Sequence, residues 1–92
     1  MMTSIVLLKV EPRKINEIAE ALADMDGISE VYSVGGRFDL VAVVRVQKNE
    51  DLAELVTNQM VQLEGIRETE SMVAYRAYSR HDLDCLFSVG LD

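Results

Sequence analysis

Two segments 38 residues apart carry the same short pattern. They are Gly27-Ile28-Ser29-Glu30-Val31-Tyr32-Ser33 and Gly65-Ile66-Arg67-Glu68-Thr69-Glu70-Ser71, with Gly, Ile, Glu and Ser at matched places. The same offset pairs Ile18 with Val56, Leu22 with Met60, Met25 with Leu63, and Ile5-Val6 with Val43-Val44. Apolar positions that match around matched landmarks point to one structural unit used twice. A chain of 92 residues holds those two units and no second domain. Whatever one half forms, the other half forms too, and the two share one core.

Each half reads strand, helix, strand. Residues 3–10 are rich in β-branched and Leu side chains, which predicts a strand. Pro12 ends it and suits the first turn of a helix. Over residues 14–24 and just beyond, Ile15, Ile18, Leu22 and Met25 recur at the spacing of one helix face. Gly27 is the expected C-terminal stop. Residues 28–34 predict a second strand, Gly35-Gly36 a hairpin turn, and residues 40–46 a third strand. Asn49 is expected to cap a second helix, with Glu50 and Asp51 in its first turn and Leu52, Leu55, Val56, Met60 and Leu63 on its apolar face. Gly65 ends it, and a fourth strand is predicted over residues 66–78. The order β-α-β-β-α-β is the ferredoxin-like arrangement, an α+β fold with a four-stranded antiparallel sheet.

The strands differ in character. Ile5-Val6-Leu7-Leu8 and Leu40-Val41-Ala42-Val43-Val44 are apolar at consecutive positions, whereas residues 29–33 and 67–71 carry polar groups. In this topology the first and third strands are central and the other two are edges. Consecutive apolar residues put oily side chains on both faces of the sheet. Two helices joined by right-handed crossovers cover only one face. A second copy of the chain, packed sheet to sheet, is the simplest cover for the other.

Composition narrows the partners. With 9 basic against 16 acidic residues, the net charge is -7, and the basic residues form no run. A phosphate backbone finds little to hold here, so direct nucleic-acid binding is not expected. The longest apolar run is residues 40–44, far short of the ~20 needed to span a bilayer, and the start shows no secretory pattern. Cys85 is the only cysteine, which excludes an internal disulfide. A cytoplasmic location is the economical expectation.

Residues 1–78 are expected to form the domain, with residues 79–92 a tail outside the repeat. Ser79 with Asp82 resembles a capping box, and Leu83, Leu86 and Phe87 give a short apolar face. A helical turn docking on a neighbour and a frayed end both fit. His81, Asp82, Asp84 and Cys85 are metal-capable types, but nothing completes a site, and no metal or cofactor is expected.

Two segments could hold a ligand. In Gly35-Gly36-Arg37-Phe38-Asp39, glycine lets backbone amides approach a small carboxylate, and Asp39 is available to an ammonium group. The plainer reading is a tight turn with Phe38 plugging the core. Thr69 and Ser71 share a strand face, where two hydroxyls serve either a polar ligand or an ordinary solvated surface. His81 is the sole histidine, no pair of acids stands out, and no nucleophile motif is present, so catalysis has little support.

Leu8-Lys9-Val10-Glu11-Pro12, Gly27-Ile28-Ser29-Glu30-Val31, Gly36-Arg37-Phe38-Asp39-Leu40 and the segment from Leu63 to Ser71, in that order and spacing, carry a resemblance. Over about residues 3–78 the chain resembles the effector domain of leucine-responsive/asparagine-responsive (Lrp/AsnC) regulators. The resemblance implies a ferredoxin-like domain that dimerises through its sheets, assembles into larger rings and binds an amino acid between dimers. The family's Gly-x-aromatic-Asp turn falls on Gly36, Arg37, Phe38 and Asp39, and its Thr-x-Thr/Ser stretch on Thr69 and Ser71, with Gly35 flanking. Arg37 stands where members often have an acidic residue, which leaves the ligand's identity open. Those regulators usually carry an N-terminal helix-turn-helix. Here the first strand is expected from residue 3, as in the stand-alone (RAM) form. The implied partners are an amino acid, further copies of the chain and a full-length regulator. Two other classes stay open: a small dimeric ferredoxin-like enzyme of the cofactor-free oxygenase type, and a structural adaptor without a ligand.

Overall fold

The computed structural model describes residues 1–78 and Arg80. Strand β1 (Met2–Val10) leads through a 3₁₀ turn (Pro12–Lys14) into helix α1 (Ile15–Ala23) and strand β2 (Ile28–Ser33). Strand β3 (Leu40–Val46), helix α2 (Asn49–Glu54), its continuation through Gln62, and strand β4 (Ile66–Ala74) repeat the plan. The sheet order is β2-β3-β1-β4, with every neighbouring pair antiparallel. The ferredoxin-like α+β fold is therefore present, with the two apolar strands at its centre.

The repeat is visible residue by residue. Gly27 and Gly65 both end a helix at positive φ, 96° and 102°. Leu22 and its counterpart Met60 are both buried. At Gly65 the demand is steric as well, since a Cβ there would lie 2.9 Å from Lys14 Cδ and 3.1 Å from Ile18 Cδ1. The Gly65 carbonyl accepts the Glu11 amide at 2.8 Å, stitching the second half's turn to the first half's strand end.

One face of the sheet is covered by the helices. Val6, Leu8 and Val10 of β1 and Leu40, Ala42 and Val44 of β3 bury completely against Ile18, Leu22, Leu52, Leu55 and Met60. Ser4 is the buried polar residue among them, and its hydroxyl donates to the Met72 carbonyl at 3.0 Å. The alternate positions Ile5, Leu7, Val41 and Val43 face the other way and stay half-buried. On that side Ile5 pairs with Met72 of β4 and Val41 with Tyr32 of β2, 45% and 51% exposed, while Leu7 pairs with Glu70 and Val43 with Glu30. The surplus of apolar residues in the central strands thus emerges as an open apolar face.

Several boundaries differ from expectation. Asn49 does not cap α2; it is the first helical residue, and extended Lys48 precedes it. Asp51 explains the shift, because its carboxylate accepts the Lys48 amide at 3.3 Å and so serves the helix start from inside. The second helix is also not uniform. It widens to a π turn over Leu55–Gln59 and tightens to a 3₁₀ turn over Met60–Gln62. The Met60 amide reaches back to the Leu55 carbonyl, five residues earlier. That extra residue per turn places Met60 rather than Gln59 beneath Leu55. β2 stops at Ser33 and β4 at Ala74, leaving Tyr75 and Tyr78 exposed beyond the sheet. Gly35-Gly36 is not a two-residue hairpin turn. The last rung is the Val34 amide to the Asp39 carbonyl, 2.9 Å, which leaves residues 35–38 as the loop. The tail features at Ser79, His81, Asp82, Leu83, Asp84, Cys85, Leu86 and Phe87 lie outside the described residues.

Candidate functional site

The loop between β2 and β3 is held from below. Asp39 turns toward β1: its amide donates to the Leu8 carbonyl at 2.9 Å, and its Oδ2 accepts the Val10 amide at 2.9 Å. A side-chain oxygen thus stands in for the next backbone acceptor and finishes the central ladder. One oxygen of Asp39 is occupied by the fold itself, so a ligand ammonium group would meet a carboxylate already in use. Lys9, which no sequence pattern singles out as a site residue, donates from Nζ to the Arg37 carbonyl at 3.3 Å. The only signal for it was its place in β1 between two buried neighbours, on the face turned from the helices.

Above this anchor the loop is open. Gly36 has φ 112°, a conformation that other L-residues rarely adopt. A Cβ built on Gly35 or Gly36 meets nothing within 4 Å, so their backbone is free to be approached. Arg37 places its guanidinium carbon 5.7 Å from the centroid of the Phe38 ring, within cation–π range. Phe38 is half-buried and is not one of the core residues, so it packs beneath Arg37 rather than plugging the centre.

Thr69 and Ser71 lie on β4, register partners of Leu8 and Val6. They share the helix-side face of the sheet, as their spacing implied, yet both are exposed. β4 is an edge strand, and the helices leave this part of it bare. The two candidate segments therefore flank β1 at the same end of the sheet. Asp39 meets Leu8 from one side and Thr69 pairs with it from the other. Two strand spacings separate them, about 10 Å. Among the described residues no hydrogen bond joins the loop to Thr69 or Ser71. The protomer thus presents the two candidate segments apart, and neither of two surface clefts, of about 300 and 330 Å³, is lined by any of these residues.

On the open face, Tyr32 donates its hydroxyl to Glu30 Oε2 at 2.6 Å. Arg45 sits 3.6 Å from the other Glu30 oxygen and donates to Ser29 Oγ at 2.7 Å. The Glu30 carboxylate, first through this hydrogen bond and then through its charge, raises the Tyr32 pKa above 10.0, with Arg45 opposing. Among the described residues no helix is long and apolar enough to cross a membrane.

Known proteins share this architecture. The family profile described as the Lrp/AsnC ligand binding domain matches residues 3–83. PH1916 of Pyrococcus horikoshii, described as an uncharacterized HTH-type transcriptional regulator, is 29% identical over 76 residues, covering 79% of this chain and 51% of its own length. The chain spans about half the length of the curated relatives it matches. The crystal structure of TTHA0845 from Thermus thermophilus superposes with a TM-score of 0.81 at 41% identity, covering 87% of this chain and 100% of that one. The transcriptional regulator NMB0573 of Neisseria meningitidis, solved as an L-Met complex, gives a TM-score of 0.76 over 86% of this chain and 53% of that one. At 9% identity that last likeness is one of fold. The matched family and its named relatives are transcriptional regulators rather than enzymes. With 81 consecutive residues under the family profile, from 3 to 83, the chain belongs to the Lrp/AsnC family as its ligand-binding domain.

Proposed function

We propose that this domain binds a free amino acid and uses it to control its own assembly, acting in transcriptional or metabolic regulation. The observation that carries the proposal is the divided site. Gly35, Gly36, Arg37, Phe38 and Asp39 lie on one side of β1, and Thr69 and Ser71 on the other. All are exposed or half-buried at one end of the sheet, and the two groups are too far apart to close on a small ligand unaided. A neighbouring protomer completes such a site. The backbone amides near Gly36 would receive the ligand carboxylate, the hydroxyls of Thr69 and Ser71 its polar groups, and Asp39 would orient the loop from beneath. That a transcriptional regulator of the same fold was solved with L-Met supports the ligand class without fixing the side chain.

A ligand bound at a subunit boundary shifts an assembly equilibrium by its differential affinity for the two states. In this reading residues 1–78 form the working domain, residues 79–92 are a tail, and the first level of assembly is a dimer through the open face. With a charge of -7 the domain reaches DNA through a partner, either more of itself or a full-length Lrp/AsnC regulator.

The test is a thermal-shift screen against the common amino acids, followed by calorimetric titration of any hit. An amino acid at 100 times its dissociation constant adds about 2.7 kcal/mol to the folded state. At least one is expected to raise the melting temperature, and Thr69→Ala is expected to abolish the rise. No shift with any of them would leave the adaptor reading in its place.

A further inference from the structure

The end of the sheet away from the loop carries a concave surface of its own. Thr3 of β1 pairs with Arg45 of β3 on one side and with Ala74 of β4 on the other, so the three stand in one row across the sheet. Thr3 and Ala74 are half-buried, whereas Arg45 is exposed. β4 ends at Ala74, and Tyr75 and Arg76 follow it outside the sheet. Together these residues line the cleft of about 330 Å³. Among the described residues its lining holds two guanidinium groups and no carboxylate, in a chain whose net charge is -7.

Neither arginine is fully engaged. Arg45 uses one nitrogen, Nη1, for both of its contacts, donating to Ser29 Oγ at 2.7 Å and lying 3.6 Å from the Glu30 carboxylate. Glu30 stands on β2, outside the cleft, and steadies Arg45 from that side. Arg76 makes no ion pair among the described residues. A guanidinium fork matches the oxygens of a phosphate or carboxylate, and two forks from different strands match a group carrying close to two charges. A phosphate monoester carries about -1.5 to -2 at pH 7, more than a single carboxylate does. The Thr3 hydroxyl, in the row beside Arg45, adds a donor. The volume suits a small molecule rather than a bare ion, since such sites begin near about 300 Å³. Tyr75 lines the same cleft and is 96% exposed, an uncovered ring on which a flat body can stack.

We infer that this cleft binds a nucleoside monophosphate, with the phosphate between Arg45 and Arg76 beside Thr3 and the base against Tyr75. Every lining group belongs to one chain, and none is among Gly35, Gly36, Arg37, Phe38, Asp39, Thr69 or Ser71. The site therefore stands apart from the amino-acid site proposed above. It also agrees with the charge of the domain. A mononucleotide asks for one local pair of cations, whereas a nucleic-acid backbone asks for a run of them, which this chain lacks.

Calorimetric titration of the full chain with adenosine monophosphate (AMP), in a low-salt buffer free of phosphate, tests this. AMP is expected to bind more tightly than inorganic phosphate by about threefold or more, through stacking. Arg76→Gln is expected to weaken AMP binding by about tenfold, the loss of one charge-assisted contact. The same variant should melt as the wild type does without ligand, because Arg76 pairs with no charged group among the described residues. Tyr75→Ala should erase the advantage of AMP over inorganic phosphate and leave phosphate itself bound as before. Succinate, a dianion with neither phosphate nor ring, should bind more weakly than AMP. No heat with AMP, AMP no tighter than inorganic phosphate, AMP binding that survives Arg76→Gln, or succinate as tight as AMP would each overturn the inference. The two sites share no residue, so a failed amino-acid screen leaves this result standing, and a failed AMP titration leaves the amino-acid proposal standing.

Discussion

Leu7 and Leu8 are neighbours of the same type on the same strand, yet Leu8 is fully buried and Leu7 only half-buried. The same contrast separates Val6 from Ile5, and Ala42 and Val44 from Val41 and Val43. Side-chain chemistry does not distinguish the two faces of this sheet; what covers them does. The helices α1 and α2 close one face, and burial there holds the monomer together. The other face holds comparable apolar material that the helices leave uncovered. In the proposed dimer, assembly and folding draw on the same two strands, divided by the strand's period of two.

The largest effect that tests this contrast is a pair of truncations. Leu8→Ala removes a buried side chain and leaves a cavity under both helices, so it should cost about 2–5 kcal/mol in urea unfolding at any protein concentration. Leu7→Ala should cost much less in dilute solution, where its side chain is already half wet. Its cost should grow as concentration rises, because a dimer stabilises the folded state by mass action. Equal and concentration-independent losses at the two positions would mean that the second face has no partner.

Most of the fold was legible because the repeat is a property of neighbours in sequence. The strand and helix periods, the stops at Gly27 and Gly65 and the two apolar strands are local signals, and all lie within about a residue or two of expectation. The π turn had a trace in the sequence too: Leu55 and Met60 are five apart, with polar Thr57, Asn58 and Gln59 between them. Helical periodicity alone does not say which residue will yield. The candidate site was legible as residue types but not as geometry. Asp39 looked free because Val10, whose amide it accepts, is 29 positions away along the chain. Thr69 and Ser71 could be placed on one face by parity. Their exposure follows from β4 being an edge that the helices leave bare, which depends on the whole assembly of elements.

Asp39 supplies the next test, at the end of the sheet where the two faces meet. Asp39→Ala removes the acceptor of the Val10 amide and should destabilise the chain by about 1–3 kcal/mol without any ligand present. Asp39→Asn keeps an oxygen in place and should retain most of the stability. Amino-acid binding then separates two roles. If Asp39 only positions the loop, the Asn variant binds as the wild type does; if its charge meets the ligand ammonium group, the Asn variant folds well and binds poorly. Denaturation and titration of the two variants decide between them.

The smallest expected effect belongs to the open face itself. Tyr32 holds its proton against the Glu30 carboxylate, so its folded-state pKa lies above the ordinary 10.0. A raised pKa in the folded state gives stability that is complete below pH 10.0 and is lost as pH climbs through the folded value. The wild type should therefore lose stability over that alkaline window more steeply than Tyr32→Phe. Phenolate absorbance, taken as the difference between those two chains, should place the Tyr32 transition above 10.0. Glu30→Gln should bring that transition down, since it removes the charge and weakens the hydrogen bond. A Tyr32 transition that ignores Glu30→Gln would mean that the pair does not persist in solution. The helix-covered face has no titrating group of this kind among its buried residues, and its contribution should stay level across the same range.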